Sequence, residues 1–352
     1  MKKFVIAGLF ILTICAATTM AAETTVHGRL FAHWMMNMSD GAGSYNDFGL
    51  SRAYVDVNSK LSDYTSVRIT TDLRDAGGFN GYTIILKYAY MDWKPKFAND
   101  MVNLRFGLQP TMYVDRMLGI WGRRYIISNI TNDRDMLTSA DLGVSAMANL
   151  GPDKKTAQIG FGILNGTEYT NTTELNKQKD FNFFAAVSPL LNNPDFENTM
   201  LVGQAYMGTQ NRLLAVGEKA SDWKKQLFSV GGKLAYRGTL DIGFDVNMMS
   251  EGRGVGIDDR KSSAMSFFGT LYLEDLVADG APMLRTLNLF GRFDIYDRNT
   301  DVDNDGENLM IGGVECNPIK GVKASLNLQS TSYENDAVDS DTYLFVNTEV
   351  RF

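Results

Sequence analysis

Charged and apolar residues alternate with a period of two along most of this chain, in runs of about ten residues, and no other property limits its fold as tightly. From Arg52 to Asn58 one parity carries Arg52, Tyr54, Asp56 and Asn58, and the other Ala53, Val55 and Val57. From Val67 to Arg74, Val67, Ile69, Thr71 and Leu73 alternate with Arg68, Thr70, Asp72 and Arg74. A strand sends successive side chains to opposite faces, so each run has one apolar and one polar side. In a water-soluble sandwich the apolar side turns to a core, whereas in a membrane barrel it meets lipid and the polar side lines a lumen. Alternation does not separate these two folds, but the two termini and the cysteine content do.

Lys2 and Lys3 precede an apolar run from Phe4 to Ile14 and a small-residue zone from Thr18 to Ala22, the pattern of a secretory signal peptide cleaved after Ala21 or Ala22. The expected division is a signal peptide at 1–22 and one all-β unit at 23–352, with no linker or composition break inside it. The apolar run is shorter than the roughly 20 residues of a membrane-spanning helix, and no later uninterrupted run reaches that length. Cys15 leaves with the leader, because Ile14 stands where a lipid-attachment signal wants a small residue. Only Cys316 then remains, so no intramolecular disulfide is available. Loss of Lys2 and Lys3 takes the formal charge from −7 to −9, an acidic balance that argues against a nucleic-acid partner.

At the other end Leu344, Val346, Thr348, Val350 and Phe352 alternate with Tyr343, Phe345, Asn347, Glu349 and Arg351. A terminal Phe352 closing such a strand resembles the assembly signal of bacterial outer-membrane barrels. That resemblance implies export to the cell outer membrane, with the barrel-assembly machinery and outer-membrane lipid as partners. Tight turns near 61–63, 95–100, 151–155, 191–197, 237–239, 276–282 and 317–321 separate longer loops near 38–47, 76–81, 110–138, 166–179, 211–225, 251–261, 298–306 and 333–340. Seven turns and eight loops predict a transmembrane antiparallel β-barrel of about 16 strands, wide enough for an aqueous channel.

The third loop, 110–138, is unlike the others. It carries Met117, Leu118, Ile120, Trp121, Ile126, Ile127 and Ile130, interleaved with Asp115, Arg116, Arg123, Arg124, Asp133, Arg134 and Asp135. So long and apolar a segment does not project into water, which predicts that it folds into the barrel and presents its charges to the channel. The alternative is an extra hairpin and eighteen strands, against which Gly119-Ile-Trp-Gly122 interrupts any long alternation.

With this loop the chain resembles the general bacterial porins, in which the third extracellular loop narrows the lumen. The stretches Arg52-Ala-Tyr-Val-Asp56, Ala89-Tyr-Met-Asp-Trp93, Leu104-Arg-Phe-Gly-Leu-Gln-Pro110 and Ser139-Ala-Asp-Leu-Gly-Val144 look like the phosphate-selective branch. The resemblance implies passive diffusion of ions and small hydrophilic solutes, anions or phosphate among them, through a homotrimer, with no cofactor. A phosphate filter would show one dominant sign of charge. Here Asp115, Asp133 and Asp135 stand beside the loop arginines, and Asp56, Asp72 and Asp141 share the expected lumen face with Arg52, Arg68, Arg74, Lys87 and Arg105. Such charges either satisfy one another between strands or set up a transverse field at the narrowest point.

Other chemistry has thin support. His27 and His33 share a parity but lie about 20 Å apart along a strand, so they cannot join one site. There is no Gly-x-Ser-x-Gly or His-Glu-x-x-His pattern, and a barrel enzyme would need a cluster converging from distant strands. An adhesin or structural anchor would more naturally carry one dominating extracellular domain. Asp301, Asp303 and Asp305 resemble the opening of a calcium loop, yet Gly312 stands where the bidentate carboxylate belongs.

Overall fold

The computed structural model describes residues 23–75, 81–152, 156–171, 173–274, 276–277 and 282–352. The expected signal peptide at 1–22 and most of the second loop lie outside the described residues. Sixteen strands are present among the described residues: β1 (Glu23–Asn37), β2 (Asn46–Ser62), β3 (Thr65–Asp75), β4 (Tyr82–Trp93), β5 (Val102–Pro110), β6 (Ala140–Leu150), β7 (Ala157–Leu164) and β8 (Asp180–Val187), then β9 (Met200–Thr209), β10 (Lys224–Tyr236), β11 (Leu240–Glu251), β12 (Arg260–Tyr272), β13 (Leu287–Asp297), β14 (Gly306–Ile319), β15 (Val322–Tyr333) and β16 (Asp341–Arg351). Each pairs antiparallel with its neighbour in sequence, and β1 closes the ring on β16 with Leu30 opposite Val350. Closure leaves no unpaired edge, the condition for a sheet that crosses a bilayer.

The predicted parity holds. On β3, Ile69 is 48% exposed while its neighbour Thr70 is 1% exposed. Val55, Phe106, Val230, Ile242 and Met310 also face outward, giving the apolar band that meets lipid. Inward-facing positions carry Asp56, Asp72, Gln109, Asp141, Asn182, Asp245, Asp294 and Glu349. Glu23, where β1 begins, and Phe352 lie at the end of the short turns, and the long loops share the opposite end.

Lys87 reaches the interior differently from its simple alternation. The β3–β4 register jumps from Thr70 opposite Tyr88 to Thr71 opposite Leu86, so Lys87 is the extra residue of a bulge. Bulges re-aim a side chain, and this one sends the Lys87 ammonium to the Ser139 hydroxyl at 2.7 Å.

Candidate functional site: the lumen and its third loop

β5 ends on Pro110, which has no amide hydrogen to extend the ladder. The Thr111 hydroxyl then donates to the Thr138 carbonyl at 2.6 Å, and the Thr111 amide to Ser139 at 3.2 Å, tying together the two ends of the third loop. Between them runs α1 (Met112–Trp121), a helix the sequence reading did not anticipate. Its buried residues Tyr113, Val114, Met117, Leu118 and Trp121 recur at the spacing of one helix face. Gly122, at φ 70°, ends the helix by donating its amide to the Leu118 carbonyl at 2.9 Å.

The apolar face of α1 packs on a patch of wall that is itself apolar inside: Phe184, Ala186, Val202 and Leu227. Gly231 leaves the space that Met117 and the Tyr113 hydroxyl occupy, since a Cβ there would lie 2.7 Å from Met117 and 2.9 Å from that oxygen. Trp121 meets Phe268 and Phe290 edge-on, with centroids 5.4 and 6.4 Å away.

Polar contacts fix the rest of the segment. Asp245, in mid-β11, accepts from the Tyr113 hydroxyl at 2.7 Å, the Thr131 hydroxyl at 3.2 Å and the Asn129 amide at 3.3 Å. Arg292 of β13 pairs with Asp294 at 2.6 Å and donates to the Ser128 carbonyl at 2.6 Å. Glu315 of β14 accepts from Tyr125 at 2.7 Å and Arg123 at 3.3 Å, and Arg123 also reaches Thr270 at 2.7 Å. The loop leaves the wall at β5 and re-enters at β6, so contacts with β11 to β14 carry it across the lumen.

The charged residues of the loop separate into different spaces rather than one cluster. Asp115 and Arg124 border a cavity of about 460 Å³ with the wall residues Arg29, Asp56, Arg68, Lys87 and Glu349. Arg116 borders a second, of about 560 Å³, and hydrogen-bonds to Gln158. Asp115 and Gly119, on the free face of α1, line both. Asp133, Arg134 and Asp135 border a third space of about 380 Å³ beside Glu251, Arg260 and Glu307, and Arg134 pairs with Glu307. Arg123 lines none of these three; it is buried in its contacts with Glu315 and Thr270.

Much of the wall charge is satisfied between strands. Arg68 holds Asp56 at 2.6 Å, Arg52 holds Asp72 at 2.7 Å, and Arg105 grips Asp92 at 2.7 and 2.9 Å while lying 4.0 Å from the Tyr90 centroid. Arg351 binds Glu349 at 2.7 Å, with Arg29 at 3.6 Å from the same carboxylate. The Arg74 Nε is buried without a hydrogen-bond partner among the described residues. The first cavity nevertheless keeps a positive surplus, with Arg29, Arg68, Lys87, Arg124, Lys323 and Arg351 against Asp56, Asp115 and Glu349.

A second inward-folded segment had no sequence signal. Asp141 accepts from the Gly166 amide at 2.8 Å, and Glu168 takes a left-handed φ of 67°. The turn carries Tyr169 inward until its ring centroid stands 4.1 Å from Lys87 Nζ.

The remaining candidates stay apart. His33 bonds Ser51 at 3.0 Å, and no cluster of three His, Cys, Asp or Glu residues that could hold a metal occurs among the described residues. Asp301 lies 3.7 Å from Lys261, while Asp303 is exposed, so the calcium-like acids do not converge on an ion.

A closed sixteen-strand barrel, apolar outside and charged inside, with its third long loop drawn across the lumen, has the architecture of outer-membrane porins. Among solved structures the chain is similar to the trimer form of OmpT, an outer membrane protein of Vibrio cholerae, at 13% identity and a TM-score of 0.62, covering 95% of this chain and 100% of that one. It is similar to the outer membrane channel DcaP of Acinetobacter baumannii at 11% identity and 0.64, covering 96% and 99%, and to an anion-selective porin from Comamonas acidovorans at 11% and 0.64, covering 94% and 100%. At these identities the likeness is one of fold. No protein-family model matches the sequence, and no curated protein matches it.

Proposed function

We propose that this protein is a porin of the outer membrane, a water-filled channel for passive diffusion of ions and small hydrophilic solutes, narrowed by the segment 111–139. The observation that carries this is the free face of α1, where Asp115 and Gly119 border two cavities, each with charged side chains in its lining, in a barrel too wide for side chains to fill. Arg124 and Asp115 of the loop, with Arg29, Arg68, Lys87 and Arg351 of the wall, form the charged rim of the narrow section. The positive surplus of that rim supports a preference for anions over cations. Export by the leader at 1–22, recognition of Phe352 by the assembly machinery and a homotrimeric state belong to the same proposal, the last supported by the trimer form of the similar OmpT.

Liposomes containing the purified protein test the solute side of this reading. Swelling in isotonic solutions of sugars is expected to slow steeply with solute size. Liposomes with well-folded protein that swell no faster than protein-free ones would refute it.

A further inference from the structure

Two basic side chains in the narrow section, Lys87 and Arg124, form no ion pair among the described residues. Lys87 is 1% exposed, has the Ser139 hydroxyl as its hydrogen-bond partner, and has no carboxylate within ion-pair distance among the described residues. Its other neighbours are ring faces, with Nζ 4.1 Å from the Tyr169 centroid and 5.5 Å from that of Tyr88. Arg124 makes no hydrogen bond and no ion pair among the described residues; its guanidinium carbon lies 5.7 Å from the Tyr54 centroid, a ring that Lys87 approaches at 6.0 Å. Both side chains border the same cavity. Its acids do not serve them, because Asp56 is held by Arg68, Glu349 by Arg351, and Asp115 is exposed on α1 beyond ion-pair distance of either.

Burying like charges side by side is costly unless a counter-charge joins them. Tyrosine faces recover part of the lost hydration, yet they leave the guanidinium fork without acceptors. We propose that Lys87 and Arg124 together bind one small oxyanion, a carboxylate or a phosphate, at the entrance to this cavity beneath Tyr169. A guanidinium offers two parallel N–H groups that match two oxygens of such an anion, and an ammonium adds a third donor as a point charge. A halide would use only part of that set. The site is a saturable stop within the channel, and it rests on the porin reading of the same lumen.

The test uses the full-length protein in planar bilayers at low KCl concentration, titrated separately with inorganic phosphate and with succinate. The current is expected to fall saturably with one of them, and the anion with the lower half-saturating concentration identifies the source chemistry. Arg124→Gln should raise that concentration about tenfold or more, and the barrel should stay heat-modifiable because Arg124 holds no protein group. Lys87→Met should do the same, and Arg124→Lys should restore part of the effect. Channels whose current follows ionic strength alone with both anions, or variants that saturate as the parent does, would overturn the site. Well-folded protein with no channel steps would overturn the porin reading instead. Calorimetric titration of the detergent-solubilised barrel with phosphate and succinate then decides the anion site by itself, binding heat lost in Arg124→Gln supporting it and absence of heat in the parent overturning it.

Discussion

The hydroxyl of Tyr113 donates a 2.7 Å hydrogen bond to Asp245 and so joins the first turn of α1 to the middle of β11 across the lumen. Asp245 is 1% exposed and also accepts from Asn129, Thr131 and Asn247. Tyr113→Phe removes one of these donors and should cost about 1–3 kcal/mol without releasing the loop. Asp245→Leu removes the acceptor shared by all four and should free the loop. Its channels are expected to be larger and noisier, with new protease sites between 111 and 139. Quiet channels of parental size in Asp245→Leu would show that this carboxylate is not the latch.

The four loop arginines have different consequences. Arg124→Gln should move the reversal potential in a salt gradient toward cation preference, because an unpaired positive charge leaves the narrow section. Arg123→Gln should act on stability, since Arg123 is buried against Glu315 and Thr270 and its loss strips a buried carboxylate of a partner. Breaking such a pair costs about 3–5 kcal/mol, a shift that denaturant unfolding of the reconstituted barrel can measure. Equal effects of the two variants on selectivity would contradict this division.

Barrel closure depends on a fit between Gly28 and Phe352. Their backbones exchange hydrogen bonds at 2.8 and 3.1 Å, and a Cβ on Gly28 would lie 2.2 Å from the Phe352 ring. Gly28→Val should displace that ring. Val350→Asp places an acid beside Leu30 and Val322 on the lipid side, where even a basic residue costs on the order of 2–4 kcal/mol and an acid less. Both variants, and deletion of Phe352, should lower the amount of assembled barrel in outer-membrane fractions more than they lower total protein. Normal assembly in all three would contradict the role given to this strand.

Acidification should raise anion preference. Burial pushes the Asp133 carboxyl above its ordinary value, against the pull of Arg134 and Arg292, and burial raises Glu168 likewise against Lys225. A raised carboxyl takes its proton first as pH falls, so these two negative charges disappear while every arginine keeps its own. Reversal potentials followed as the pH is lowered from neutral should move toward anions before the exposed acids titrate, since a raised carboxyl is protonated ahead of an ordinary one. A shift toward cations over that interval would contradict the assignment.

The wall was legible because its chemistry is strictly periodic. Arg68, Thr70, Asp72 and Arg74 face inward as alternation requires, and the sixteen strands follow from turns and loops of unequal length. The bulge at Lys87 was hidden, since one extra residue changes no composition. The apolar content of the loop is what led to the expectation of an inward fold, on which the proposed constriction rests. The loop's helix could have been read from the spacing of Tyr113, Val114, Met117, Leu118 and Trp121. Tyr169 left no trace, because its placement depends on the distant carboxylate of Asp141 and a left-handed Glu168. The division of the loop charges among separate spaces was equally hidden, being decided by partners such as Glu307 and Glu315 far along the chain.

The channel with its inward constriction is tested most directly by single-channel recording of the parent protein beside a variant lacking residues 114–134. The account predicts discrete conductance steps from the parent and larger steps from the variant, with passage of larger solutes, while the barrel remains heat-modifiable. Parent barrels that are well folded yet silent, or steps of equal size in the two proteins, would contradict it.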